Sequence, residues 1–432
     1  MNIIKRIPHM LSYLKAYFQS DGSVGISKHV RTFCKVQTVY TFATAMTGTF
    51  MNIFLFRTNN HNMKLALLYT FVVLAVSPLA FMIGGYFVKK KNSVISLRMG
   101  IVLINLLYIF LLLLQTEAAR FMIPLACFHG FANGFYYLGY NTVIYDYSDN
   151  ENREKVVSLV NVCTVTATAL APIISGYIIS HFKDTFGYII VFSLSFILSL
   201  VALLYVAKLP SKKVEGKYYL KSTLLLPLKN KQWRNVMFGE IARCPKECYN
   251  TLLLPILLYL SVQQEWVVGM TTFGNNLASV FAFFTLMWFL KPKNRARFIL
   301  LGTFMILLAN VLLVVDFKDT FSSVTLIVCF NFLNSFFSAY ILAPTSSIIL
   351  QVVSTTNGHE RRRIECIVAR ECYLTIGRLI GGITVLLIPF NKYYIVGGFL
   401  AFSLLQFAGY SFMEKAHRQL RIKALSALQR QD

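Results

Sequence analysis

The sequence predicts an all-α polytopic membrane protein, with twelve transmembrane helices in two pseudo-symmetric six-helix bundles, and three observations carry that expectation. Hydrophobic residues fill 56% of the 432 positions and charged residues only 14%, with a mean hydropathy of +0.58, far from a soluble globular composition. Apolar runs of the length a bilayer needs, about 20 residues for a core of about 30 Å, recur along the chain. The chain also repeats at an offset of 202 residues: 86-YFVKKKNSVISLRMG-100 and 288-WFLKPKNRARFILLG-302 align without gaps and share Phe, two Lys, Asn and the final Gly.

The runs fall at about 35–57, 65–88, 94–115, 120–145, 156–181 and 186–207, then at 234–261, 265–290, 297–315, 321–352, 363–390 and 393–413. The same offset lays the first run on the seventh and the fourth on the tenth, which predicts two six-helix halves. These are a bundle over 35–207 and a bundle over 234–413, joined by a Lys-rich linker over 208–233. A segment over 1–34 with Ile3, Ile4, Ile7, Leu11, Leu14 and Phe18 at helical spacing reads as an amphipathic helix on the inner leaflet. A polar tail covers 414–432.

Connections on one side of the runs hold most of the 42 Lys and Arg, whereas the other side holds Arg57, Lys64, Arg120, Lys183, Lys318 and Lys392. By the positive-inside rule, both termini and the linker are cytoplasmic in a multi-pass cell-membrane protein. The net charge of +24 sits in clusters beside membrane spans, so anionic lipid head groups, not nucleic acid, are the expected partner. Cys34, Cys127, Cys163, Cys244, Cys248, Cys329, Cys366 and Cys372 lie in or beside spans and form no disulfide framework. No phosphate-cradling loop, metal cluster or nucleophile elbow is present, so the chain reads as a non-enzyme without a cofactor or metal.

Charge inside the spans is the strongest functional signal, because an ionisable group facing lipid costs several kcal/mol. In 238-FGEIARCPKECYNTLLLPILLYL-260 the residues Glu240, Arg243 and Glu247 share one helix face with Asn250, and Pro245 kinks the helix beside them. Lys246 points about 100° away from Glu247, toward a neighbouring helix. In the eleventh span Glu371, Thr375 and Arg378 share a face, and Arg378, near mid-membrane, requires a carboxylate from Glu247, Glu371 or a substrate. Arg370 and Glu365, nearer the cytoplasmic end, read as a gate. The fourth span is polar without charge: Asn133, Tyr137, Tyr140 and Asn141 form a stripe suited to an amphiphilic solute. Asn334 lies in the tenth span.

Over nearly its full length the chain resembles the major facilitator superfamily, whose loop between spans two and three reads roughly G-x-x-x-D-R-x-G-R-R. Here 85-GYFVKKKNS-93 keeps Gly85 and the basic run, with Lys89 at the acid and Asn92 at a Gly. The stretch 169-ALAPIISGY-177 is similar to the G-P-x-x-G-G motif of proton-exchanging exporters, with Pro172 and Gly176 matching. The resemblance points to a divergent, bacterial, efflux-like branch. It implies a monomer that moves a small-molecule substrate by alternating access, with helices one, four, seven and ten lining the cavity. It also implies gating by Gly85, Lys89, Lys90, Pro172 and Gly176, and by Asp146 and Arg153 at the cytoplasmic mouth. Proton coupling falls to Glu247 and Glu371, with Glu240 less deep. Lipid translocation, organic-anion uptake and a non-transporting sensor are the alternatives.

Overall fold

The computed structural model of the protein describes residues 27–58, 62–147, 153–182, 185–211, 216–315, 324–355 and 359–428. Twelve long helices account for most of them: α1 (Lys28–Thr58), α2 (Met63–Lys90), α3 (Ser93–Leu114), α4 (Met122–Asp146), α5 (Arg153–His181), α6 (Phe186–Ala207), α7 (Lys231–Val262), α8 (Glu265–Phe289), α9 (Arg295–Val315), α10 (Val324–Ser354), α11 (His359–Leu387) and α12 (Lys392–Leu428). Local chemistry sets several ends. Asn62, Asn92 and Asn230 cap α2, α3 and α7 by accepting backbone N–H groups of the first turn, satisfying donors that have no intrahelical partner. Gln263 ends α7 in the left-handed region at φ 55.

Among the described helices nine are long and apolar enough to cross a membrane. The other three long helices, α4, α7 and α11, contain the Tyr/Asn stripe and the two charged clusters, so they gave up apolar character where they carry polar groups. Within the first half α1 packs on α5 and α6, α4 on α2 and α3, and α3 on α6. Advancing every number by six reproduces the second half: α7 on α11 and α12, α10 on α8 and α9, and α9 on α12. The interface between halves obeys the same rule, with α5 on α8 and α11 on α2. The first four helices of each half begin at Lys28 and Lys231, Met63 and Glu265, Ser93 and Arg295, and Met122 and Val324, offsets of 203, 202, 202 and 202.

Helix ends depart from the apolar runs where a helix outlasts the hydrocarbon. α1 starts at Lys28, and α12 continues to Leu428, with Met413, Ala416 and Leu420 buried in a cluster around Trp233. An apolar-run search stops where charges begin, yet the helical backbone need not. The amphipathic reading of the N-terminal segment falls mostly on residues 1–26, outside the described residues.

The α7–α11 contact is a close joint in the second half. Gly377 and Gly381 of α11 meet α7 at the carbonyls of Ile241 and Pro245, and a Cβ on Gly377 would stand 2.5 Å from the Ile241 oxygen. Small residues four apart let two backbones approach in this way. Gly377→Ala is therefore expected to destabilise the protein by about 1–3 kcal/mol through overpacking. Gly397→Ala, whose Cβ would meet nothing within 4 Å, should be neutral or gain about 0.5–1 kcal/mol of helix propensity. Thermal unfolding of the two variants in detergent checks the sign of each.

Candidate functional site

The helix-face arithmetic on α7 places Arg243 between two carboxylates: its Nε donates to Glu240 at 3.1 Å and its Nη1 to Glu247 at 2.5 Å. Glu240 is fully buried, and its second oxygen accepts from Arg370 of α11 at 3.0 and 3.2 Å. Arg378 donates to Glu371 at 2.5 Å and lies within electrostatic reach of Glu247. The result is a ladder, Arg370–Glu240–Arg243–Glu247 with Arg378–Glu371 beside it, in which three guanidiniums face three carboxylates.

Two sequence-level expectations resolve here. Of the two carboxylates open to Arg378, Glu371 of its own helix holds it. Arg370, expected from sequence as part of a gate, pairs with Glu240 and so joins the ladder, because α11 turns it toward α7, where a fully buried carboxylate needs a second donor.

The first-half stripe faces this ladder. Tyr137 is 49% exposed yet lies within electrostatic reach of Arg378 and Glu371, so its ring borders the space between the halves. Asn141 is exposed and donates to the Tyr137 carbonyl, Tyr140 packs against Phe33 at 5.9 Å, and Asn133 is half-buried one turn away. Sequence reasoning passed over Tyr136, which is off the stripe. It is buried, stacks on Tyr40 at 3.6 Å and donates to Gln37 at 2.5 Å, and Gln37 donates to Thr164 of α5 at 3.0 Å. The first half is thus tied by neutral hydrogen bonds where the second is tied by ions.

A cavity of about 170 Å³ opens beside the ladder. Its α7 wall is Arg243, Lys246, Glu247 and Asn250, and Asn250 donates to Asn334 of α10 at 3.2 Å. Among the described residues all the lining side chains belong to second-half helices, α7 to α10 and α12. The first-half stripe borders the ladder and not this cavity.

Ion pairs bridge the halves at both ends. At the basic end, where α2 and α8 finish, Asp146 of α4 pairs with Arg363 of α11, and Lys89 of α2 pairs with Glu365 of α11 at 3.3 Å. Glu365 is fully buried and also accepts the Tyr219 N–H of the linker at 3.1 Å. Gly85 lies against the Tyr218 ring, whose hydroxyl a Cβ would meet at 2.5 Å, and that hydroxyl donates to the Met82 carbonyl. Lys89, at the position of the family's acid, thus makes an inter-half ion pair of its own. Lys90 lies over the Tyr86 ring of its own helix. Arg153 opens α5, and its side chain is outside the described part of the structure.

At the opposite end Arg57 of α1 reaches Glu265 of α8 at 2.9 Å and Tyr259 of α7 at 2.9 Å, and Tyr188 of α6 donates to Glu265. Sequence reasoning missed this cluster. The available signal was the repeat itself, since Arg57 and Tyr259 are equivalent positions at the 202 offset. Nearby, Pro172 and Gly176 of α5 meet α8: a Cβ on Gly269 would stand 2.5 Å from the Pro172 carbonyl, and one on Gly176 would stand 2.8 Å from that of Glu265.

A double-mutant cycle tests the basic-end lock. Lys89→Met and Glu365→Gln each leave a buried partner unsatisfied, and their effects on unfolding free energy should couple by about 1–3 kcal/mol. Strictly additive effects would mean that the pair holds nothing.

Comparison with known proteins agrees with this architecture. The chain is 25% identical over 369 residues to the uncharacterized protein YqgE of Bacillus subtilis (strain 168), covering 85% of this chain and 84% of that one. It is 28% identical over 178 residues to an uncharacterized protein in the sodM 3' region of Geobacillus stearothermophilus, covering 41% of this chain and 83% of that one. Among solved structures, a bacterial homologue of the human drug peptide transporters PepT1 and PepT2 superposes with a TM-score of 0.66 at 11% identity, covering 94% of this chain and 99% of that one. A structure from work on substrate recognition in proton dependent oligopeptide transporters gives 0.69 at 11% identity, covering 91% and 99%. At that identity the likeness carries the fold alone. The sequence pattern of the Major Facilitator Superfamily matches residues 36–262, more than half of the chain, and the protein belongs to that superfamily.

Proposed function

We propose that the protein is a secondary transporter that exports a small solute across the cell membrane by alternating access, in exchange for protons. The observation that carries this reading is the pairing of two inter-half locks, Arg57–Glu265 at one end and Asp146–Arg363 with Lys89–Glu365 at the other, around an ionisable ladder in the interior. A sensor needs a ligand cavity but has no use for breakable locks on both faces. Export is supported by Pro172 and Gly176, which match the exporter motif and pack at the α5–α8 contact between the halves.

In this reading Tyr137, Asn250, Asn334, Arg243 and Arg378 border the solute, and Glu247 carries the proton. Glu247 is the exposed carboxylate of the ladder, with a side chain 46% accessible against 0% for Glu240. Proton uptake on Glu247 removes the charge that holds Arg243 Nη1 and frees that donor for a solute. Arg378 and Tyr137, across the gap between halves, sense the change. A few kcal/mol of such difference between two states is enough to redistribute a two-state population.

Glu247→Gln is therefore expected to lower accumulation driven by a pH gradient at least about tenfold in proteoliposomes, while solute exchange without a gradient persists. Normal gradient-driven accumulation by this variant would remove Glu247 from the coupling. The basic end is assigned to the cytoplasm. In a cysteine-free background, a cysteine at Lys64 should react with an impermeant thiol reagent in intact cells and one at Lys291 should not. The reverse pattern would invert the topology and with it the direction of export.

A further inference from the structure

The linker between the halves is held in the seam at the basic end. Gly216 has a positive φ of 108, a conformation open to glycine, and sits beside Lys89, whose Nζ lies 3.8 Å from where a Cβ would stand. Tyr218 then enters the seam between α2 and α11. Its ring fills a groove that Gly85 leaves open: the three atoms nearest to a Cβ on Gly85 would all belong to Tyr218, with the hydroxyl at 2.5 Å. That hydroxyl donates to the Met82 carbonyl of α2 at 3.1 Å. The ring packs on an apolar cluster in which Phe81 and Val88 of α2 and Leu138 of α4 meet Ile364 and Val368 of α11.

The residues that follow are fastened to the second half. The Tyr219 N–H donates to Glu365 Oε1 at 3.1 Å, the same oxygen that pairs with Lys89, and the Arg362 guanidinium lies over the Tyr219 ring. A short helix over Leu220–Leu224 packs on α11, and Tyr373 of α11 donates to the Leu224 carbonyl at 2.9 Å. Leu226 packs against the Trp233 cluster, and Asn230 caps α7. If α2 parts from α11 at this end, these anchors carry Tyr219–Asn230 along with α11. Tyr218 must then give up its groove and its hydrogen bond on α2.

We propose that the linker is a strap that biases the basic end toward closure, with Tyr218 as its bolt: the ring must leave the Gly85 groove before α2 and α11 can separate. The strap and the Lys89–Glu365 lock close together, because both use one oxygen of Glu365. The inference rests on the alternating-access reading for the opening that the strap opposes.

Double electron–electron resonance on the full-length chain tests it without any solute. In a cysteine-free background, spin labels go on cysteines at Lys91 and Ser354, exposed positions at the basic end of different halves. Short separations should dominate in the otherwise native chain. Tyr218→Ala should raise the ratio of long to short separations at least about fivefold, through loss of a hydrogen bond and of a buried ring. Tyr218→Phe, which keeps the ring, should raise it less. Gly85→Ala should also raise it, since its Cβ takes the place of the hydroxyl, but should add nothing in the Tyr218→Ala background. Leu228→Ala, on the same linker and 74% exposed, should leave the ratio unchanged.

An unchanged ratio in Tyr218→Ala, an equal shift in Leu228→Ala, or a chain already open at this end before substitution would overturn the strap. So would a Gly85→Ala effect that persists in full without the ring. Should Tyr218→Ala not yield monodisperse protein, Tyr218→Phe and Gly85→Ala carry the test, and no shift in either overturns it. Flux in proteoliposomes separates this outcome from the transport reading. The expected shifts without any gradient-driven flux would keep the strap and sink the carrier, and flux with unchanged separations would do the opposite.

Discussion

The Glu240 carboxylate, buried between Arg243 of α7 and Arg370 of α11, is the joint on which the second half is assembled. A lone carboxylate there would cost several kcal/mol; with a guanidinium on each oxygen it becomes a two-helix clamp. Everything nearby follows from keeping that clamp closed. Gly377 and Gly381 bring α11 close to α7, which puts Arg370 in reach. The second arm of Arg243 then falls on Glu247, leaving Arg378 to find Glu371. The side chain on the other face of α7, Lys246, is pushed into the interior of the half among α9, α10 and α12, where, among the described residues, an amide oxygen and two ring faces meet it.

Composition and periodicity made the fold readable because a bilayer imposes one length and one polarity on every span. The 202-residue offset, taken from a fifteen-residue alignment, reappears in helix starts and in the helix-packing pattern. The charged stretch on α7 was legible for a related reason: spacing on a helix fixes which groups share a face, and Arg243 does reach both carboxylates. Partner choice between helices was not legible. The turn of α11 relative to α7 decides whether Arg370 meets Glu240 or a gate, and that turn is set by glycine contacts that no local pattern announces. The Arg57–Tyr259–Glu265 cluster joins residues at the ends of three helices, at span edges where an apolar-run search is blind, and Tyr136 was left off the stripe because a stripe on one helix says nothing about the Tyr40 ring waiting on another.

Where the pairs lie relative to the interface between halves separates two kinds of ion pair with different physical duties. Arg243, Arg370 and Arg378 take all their partners from α7 and α11, within one half, so a rocking motion of the halves carries the ladder as a unit and leaves no guanidinium stranded in hydrocarbon. Arg57–Glu265, Lys89–Glu365 and Asp146–Arg363 cross between halves, and they sit at helix ends. When such a pair separates, water replaces each partner, and rehydration offsets most of the lost attraction. In the proposed alternating-access cycle, the charges that stay paired lie inside one half, and those that separate lie near its ends, where water reaches them once the halves part.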